Sequence, residues 1–232
     1  MLINNINNNT NNNNNTSNNN NTNNNNTNNI DKIYVKDVYE EIAHHFDNTR
    51  VYKWSWIIEF LDNLKENSLI YDLGCGNGRN MNYSNLKFIG IDNCENFIKI
   101  CNQKKLDVIN SNITNIPLKN NSADAIICIA VFHHLSTQEL RIKTLLEIKR
   151  LIKNNGKILL SVWSINQPQK IKRNFNNYGN NIVLWNKYGK IYERYYYIFK
   201  LDEIKSLFKI AGLSIVDYTY NSGNEIFTLM KI

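Results

Sequence analysis

Residues 71–80 read YDLGCGNGRN, and glycine at 74, 76 and 78, directly after an apolar run, restricts the fold more than any other stretch of the chain. Glycine adopts backbone conformations closed to other residues and lets another molecule approach the main chain. Following the strand pattern SLIYDLG and preceding an expected helix, such a turn offers bare N–H groups to a ligand. A second strand pattern, KFIGID, ends at Asp92. That lies about twenty residues past Asp72, the spacing at which a carboxylate can meet ribose hydroxyls. Together these features imply a nucleotide-like ligand.

The rest of the chain fits an α/β protein, because apolar runs alternate with helical patterns and so predict a parallel sheet with crossover helices. Val35, Val38, Ile42 and Phe46 share one helical face, and Trp56, Ile57, Phe60 and Leu64 another. ENFIKICNQK predicts a helix, DVINSN a weak third strand, and ADAIICIAV a central strand buried on both sides. STQELRIKTLLEIKRLIKNNG begins with a Ser/Thr cap and is expected to stop at Gly156, with the strand KILLSVW next. Residues 164–190 have no clear period and are expected to be an insertion or mobile loop. ERYYYIF leads into the helix KLDEIKSLFKIAG, and LSIVDYTY and EIFTLMKI flank NSGN as a terminal hairpin.

Residues 1–30 contain 20 Asn and no charge, too little apolar surface to offset the entropy of ordering. A disordered tail is expected there, followed by a single domain over 31–232. The tail lacks the basic start and apolar core of a signal peptide, and no apolar run is long enough to span a membrane. Cys75, Cys94, Cys101 and Cys128 form no CxxC pair, so the reading is a reducing compartment and no metal site. The net charge of +7 suits an anionic partner such as nucleic acid, and plain solubility explains it equally well.

A dinucleotide loop would read GxGxxG, whereas here Arg79 takes the last glycine's place and the pattern is DxGxGxG. This resembles the first motif of the class I S-adenosylmethionine-dependent methyltransferases. The resemblance implies a Rossmann-like fold: a mostly parallel seven-stranded sheet with helices on both faces and a C-terminal antiparallel hairpin. It implies S-adenosylmethionine as cofactor, held by Gly74, Gly76 and Gly78, with Asp92 on the ribose. Asp72 would orient the loop or, through water, the cofactor's ammonium group. Asn112 falls where the family often has an Asp near the adenine amine, and Ile113 could add a backbone contact there. Asp124 reads as a residue that starts a strand.

Four further stretches, VYEEIAHHFDNTRVYKW, IAVFHHL, LLSVW and RYYYIFKLDEI, look like the tRNA methyltransferases that esterify 5-carboxymethyluridine at the anticodon wobble position. YxxIAxHFxxTRxxxW is the most specific of them. That reaction uses a nucleophile already ionised at neutral pH, so the site must orient a carboxylate and needs no general base. Arg50 and Arg194 are the expected fork of donors, the other possibility being surface arginines paired to Asp47 and Glu193. His133 is expected to touch the uracil or carboxymethyl group, with His134 a packed neighbour and His44 and His45 on the helix face or in solvent. Trp163, Tyr195 and Tyr196 are candidates for base stacking or for the core. The basic and aromatic stretches QKIKRNFNNYGNN and VLWNKYGKIYERYYY would meet the anticodon stem-loop. The resemblance further implies a small zinc-binding activator protein and a cytoplasmic or nuclear location. Two other readings share the glycine loop: a small-molecule methyltransferase, and a catalytically silent scaffold that binds RNA or protein.

Overall fold

The computed structural model describes residues 30–169, 175 and 177–232. The Asn-rich segment 1–29 and residues 170–174 and 176 lie outside them, so the expected tail and part of the basic stretch do too. The strands are β1 (Leu69–Leu73), β2 (Lys87–Asp92), β3 (Val108–Asn110), β4 (Ala123–Ile129), β5 (Ile152–Trp163), β6 (Gly179–Lys187), β7 (Lys190–Ile198), β8 (Leu213–Asn221) and β9 (Asn224–Lys231). Seven of them form one sheet in the order β3-β2-β1-β4-β5-β9-β8. The pairs from β3 to β5 are parallel; β9 runs antiparallel to β5, and β8 to β9. The expected seven-stranded sheet with its terminal hairpin is what forms.

β4 is central because its residues are apolar on both sides. Ile126 and Cys128 face a core shared with α4 (Gln138–Leu151) and α5 (Leu201–Ile210), through Leu145, Ile148, Ile204 and Phe208. Ala125, Ile127 and Ile129 face the other side, where α2 (Ser55–Asp62) contributes Trp56, Ile57 and Leu61. The strand order reverses between β1 and β4, which opens a crevice at their carboxyl ends. Above it lie α1 (Asp37–Thr49), entered through a π-helical turn at Lys32–Lys36, and α3 (Glu95–Gln103). The Glu40 carboxylate of α1 accepts hydrogen bonds from the backbone N–H groups of Glu95 and Asn96, at 2.6 and 3.0 Å, and so caps α3.

Three local expectations change. No helix follows the glycine loop: residues 74–86 turn directly into β2. Gly74, Gly76, Gly78 and Asn77, Asn80, Asn82 and Asn85 all favour turns, and α2 already covers that face. α4 is capped as expected, the Thr137 hydroxyl accepting from Leu140 N at 3.2 Å, but it ends at Leu151, and β5 runs through Gly156. Segment 164–190, expected as an insertion or loop, carries β6, which pairs antiparallel with β7 as a separate two-stranded sheet. Its Tyr188–Gly189 turn has positive φ at both residues, the geometry that matches strand twist in a two-residue hairpin.

Candidate functional site

A cavity of about 510 Å³ fills the crevice, within the range of small-molecule sites. One end is built by the glycine loop and Asp92, the other by α1 and the β6–β7 hairpin.

At the first end, all three loop glycines have positive φ, yet for different reasons. A side chain at Gly74 would collide with Val131, and one at Gly78 with Leu106 and Cys101. These two glycines are required by the protein's own packing. A side chain at Gly76 would reach Phe46 only at 3.9 Å and Phe97 at 4.0 Å, and Gly76 borders the cavity while Gly78 does not. Gly76 is therefore the glycine that leaves room for a ligand. Asp92 holds the loop in place: its Oδ2 accepts from Gly76 N at 2.8 Å and its Oδ1 from Cys94 N at 2.9 Å. Asp92 also borders the cavity, and a carboxylate oxygen can accept more than one hydrogen bond. Burial pushes its pKa up, against the pull of those backbone bonds.

Asp72 lies under the loop, buried, with no hydrogen-bond partner on Oδ2. Burial raises its pKa to about 7, with Arg79 opposing and Asp92 reinforcing the rise. Asn112 and Ile113 border the cavity beside Asp92. The Asn112 Oδ1 is already engaged, accepting from the Thr114 N–H and hydroxyl at 3.0 Å each, so the side chain shapes the turn there. Asp124 is structural, receiving Leu69 N and Lys153.

At the second end the two arginines come together. Asp47 pairs with Lys104, and among the described residues no ion pair involves Arg50, Arg79 or Arg194. Arg50 follows the last turn of α1 and Arg194 lies on β7, yet their guanidinium groups converge over one ring, Trp185, at 5.0 and 4.7 Å from its centre. Trp185 is fixed by its indole N–H, which donates to His45 Nδ1 at 3.0 Å. Arg194 is buried, donates from Nη1 to the Tyr196 hydroxyl at 2.8 Å and leaves Nε without a partner. A desolvated cation lacking a counterion is costly unless an anion completes it.

The two histidines exchange their expected places. His133 is fully buried, its Nδ1 accepting from Trp163 N at 3.0 Å, and it does not border the cavity. His134 does: its Nδ1 lies 2.7 Å from the Tyr195 carbonyl and its Nε2 3.0 Å from the Tyr39 hydroxyl. A carbonyl only accepts, so Nδ1 carries the proton and Nε2 receives the tyrosine's. Burial lowers the His134 pKa to about 3, and the ring stays neutral. The 3₁₀ turn at Phe132–His134 carries both rings, and a one-residue ambiguity in that turn decides which of them faces the cavity. Tyr195 likewise points away, its hydroxyl donating to Asn180 Oδ1 at 2.6 Å. Trp163 and Tyr196 both border the cavity and stack on each other at 4.2 Å.

Sequence reasoning missed Tyr39, Trp54, Arg79 and Trp185, all but the last bordering this cavity. Tyr39 and Trp54 open and close the motif YxxIAxHFxxTRxxxW, so the signal was present without an assigned role. Trp185 lay in the stretch expected to be a loop.

The sheet order, the glycine loop and the acidic residue ending β2 together define a class I S-adenosylmethionine-dependent methyltransferase fold. Residues 71–160 match the family described as "Methyltransferase domain". A solved S-adenosylmethionine-dependent methyltransferase from Clostridium acetobutylicum superimposes with a TM-score of 0.62 at 16% identity, covering 84% of this chain and 99% of that one, which speaks to the fold alone. Among sequences, the tRNA (carboxymethyluridine(34)-5-O)-methyltransferase of Schizosaccharomyces pombe is 31% identical over 214 residues, 82% of this chain and 93% of that protein. The relative of that name from Arabidopsis thaliana is 42% identical over 139 residues, 60% of this chain. The chain belongs to the tRNA (carboxymethyluridine(34)-5-O)-methyltransferase family. It spans 34% of the Arabidopsis relative's length, and 21% of that of the Macaca fascicularis relative, to which it is 40% identical over 139 residues, 60% of this chain.

Proposed function

We propose that this protein uses S-adenosylmethionine to methylate the carboxylate of 5-carboxymethyluridine at the wobble position of a tRNA anticodon. The observation that carries the reading is the pair Arg50 and Arg194, with no ion-pair partner among the described residues, converging over Trp185 at the end of a cavity whose other end is a glycine loop.

The residues fit the cofactor. Gly76 leaves the backbone open, Asp92 offers lone pairs to a ribose, and the unbonded Oδ2 of Asp72 suits an ammonium group relayed through water. When bound, S-adenosylmethionine supplies a methyl group on a sulfonium, an electrophile that an ionised carboxylate attacks without prior loss of a proton. Arg50 and Arg194 hold that carboxylate in plane and limit its rotation, which is where rate is gained when no base is required. Tyr39 and neutral His134 keep the Arg194 end rigid: the Tyr39 hydroxyl donates to His134 and accepts from Arg194 Nη1 at 3.4 Å. Trp163 and Tyr196 form an aromatic wall against which an unstacked base can lie.

The partners in this reading are the tRNA anticodon stem-loop, in the cytoplasm, and a small zinc-binding activator. β8 is an edge strand with Ile215 and Val216 exposed, and β3 is the other edge, so a strand-pairing partner has two places to add. No helix among the described residues is long and apolar enough to cross a membrane. The test is incubation with an anticodon stem-loop carrying 5-carboxymethyluridine, with and without S-adenosylmethionine, followed by nucleoside mass spectrometry. The expected result is a cofactor-dependent methyl ester on that nucleoside alone; no ester, with the cofactor bound and an activator supplied, would overturn the reading.

A further inference from the structure

Beside the main cavity lies a second one of about 390 Å³, bordered by Arg50, Arg79, Lys104, Asn77 and Asn82, and by one carboxylate, Asp47. Arg50, Arg79 and Asn77 border both, so the two spaces share a wall that carries two guanidinium groups. Lys104 is already neutralised, its Nζ 2.6 Å from Asp47 Oδ1 and 3.0 Å from the Asn77 carbonyl. The two arginines add positive charge with no carboxylate of the described residues in ion-pair range. Arg79 is pinned by stacking over Trp54, 4.4 Å from the ring centre, and is mostly shielded from solvent. Burial lowers its pKa, with Asp72 opposing from a longer range. A guanidinium fixed by a ring and stripped of water presents a planar fork to an anion.

The main cavity has its own use for one anion, at Arg50 and Arg194. Arg79 is left over from that pair, and it borders the side space as well as the main one. A nucleoside inserted into the main cavity brings two phosphodiesters that cannot follow it in, so they stay at the rim. We propose that the side cavity is a phosphodiester site, in which Arg79, helped by Arg50, binds one of the two backbone phosphates flanking the target nucleoside. This rests on the reading of an RNA substrate, and it places the backbone over the β1–β2 loop, apart from the β6–β7 hairpin.

The test is a double-mutant cycle between protein and RNA. Methyl transfer is measured on the carboxymethyluridine stem-loop, and on two versions in which the 5′ or the 3′ flanking phosphate is replaced by a neutral methylphosphonate, using wild type and Arg79→Gln. At saturating cofactor, Arg79→Gln should raise KM for the natural stem-loop on the order of tenfold and reduce the slope of log affinity against log salt by about one. Arg79→Lys, which keeps the charge that opposes the Asp72 pKa rise, should leave cofactor affinity in calorimetry unchanged. One of the two neutral linkages should cost the wild type the same factor and cost Arg79→Gln nothing more. Arg79→Lys, which keeps the charge, should recover part of the loss, and it carries the same cycle if the glutamine variant is unstable. Additive costs at both linkages, or a fall in cofactor affinity in Arg79→Lys, would overturn the site. A wild type inactive on the natural stem-loop would instead defeat the proposed function, and this inference with it.

Discussion

Asp72 shows how one side chain can work against the fold and for a ligand. Unfolded, it titrates near 3.8; folded, near 7, because burial disfavours its charge. The folded chain holds the proton more tightly, so this contribution to stability is fully present below about pH 3.8 and is lost as pH rises through about 7. Asp72→Asn removes the loss. The ligand-free variant should therefore melt higher than wild type at about pH 8 and nearly the same at about pH 4, in thermal scans by circular dichroism. Its affinity for S-adenosylmethionine should fall on the order of tenfold, since an amide cannot receive an ammonium through charge. Arg50 and Arg194 make the complementary case. Replacing either by Lys keeps charge and loses the planar fork, so kcat should drop on the order of tenfold or more with cofactor affinity near wild type. Equal turnover for both variants would remove the carboxylate clamp. At saturating cofactor, where the titration of Asp72 enters only through binding, kcat should also stay flat from about pH 6 to 8, the substrate carboxylate having titrated below that range. His134 does not disturb this, since burial keeps its pKa near 3.

Among elements, the glycine loop was legible in sequence as a turn but not in its division of labour. Alternating glycines announce tight backbone; only the neighbours reveal that Val131 and Leu106 exclude side chains at Gly74 and Gly78, while the space above Gly76 is open. Gly78→Ala should thus lower the melting temperature by several degrees, through clash and a positive φ of 73°. Gly76→Ala meets only the φ cost, about 1 to 2 kcal/mol, and should show its larger effect as weakened cofactor binding in calorimetry. The reverse ranking would mean that the ligand lies elsewhere. The β6–β7 hairpin was illegible for a different reason. Ile182, Val183, Leu184 and Trp185 are consecutive apolar residues without strict alternation, and Tyr-Gly lacks the turn signature of Asn-Gly or Asp-Gly. Its position depends on contacts across the molecule, such as Trp185 with His45, that no local pattern records.

At the scale of the whole molecule, strand order and core were readable because they follow from burial on one or both faces, and seven strands fell where apolar runs put them. The site was readable in part, since convergence of Arg50 and Arg194 on Trp185 joins residues more than a hundred positions apart. We place the boundary between the Asn-rich segment and the domain where charge and apolar periodicity begin together in the sequence. Asp31 borders the cavity, and its Oδ1 accepts from Ser136 N at 3.0 Å. Val35 and Lys36, in the turn that follows, border the cavity as well. Residues 1–29, by contrast, hold no periodic apolar face and no charge. We therefore expect that removing 1–29 changes neither melting temperature nor cofactor affinity, whereas removing 1–36 lowers both by opening the cavity wall and unseating the start of α1. Calorimetry and thermal scans on the two truncated chains distinguish these outcomes. A large loss on removing 1–29 alone would mean that the Asn-rich segment packs on the domain, and the boundary would move toward the N-terminus.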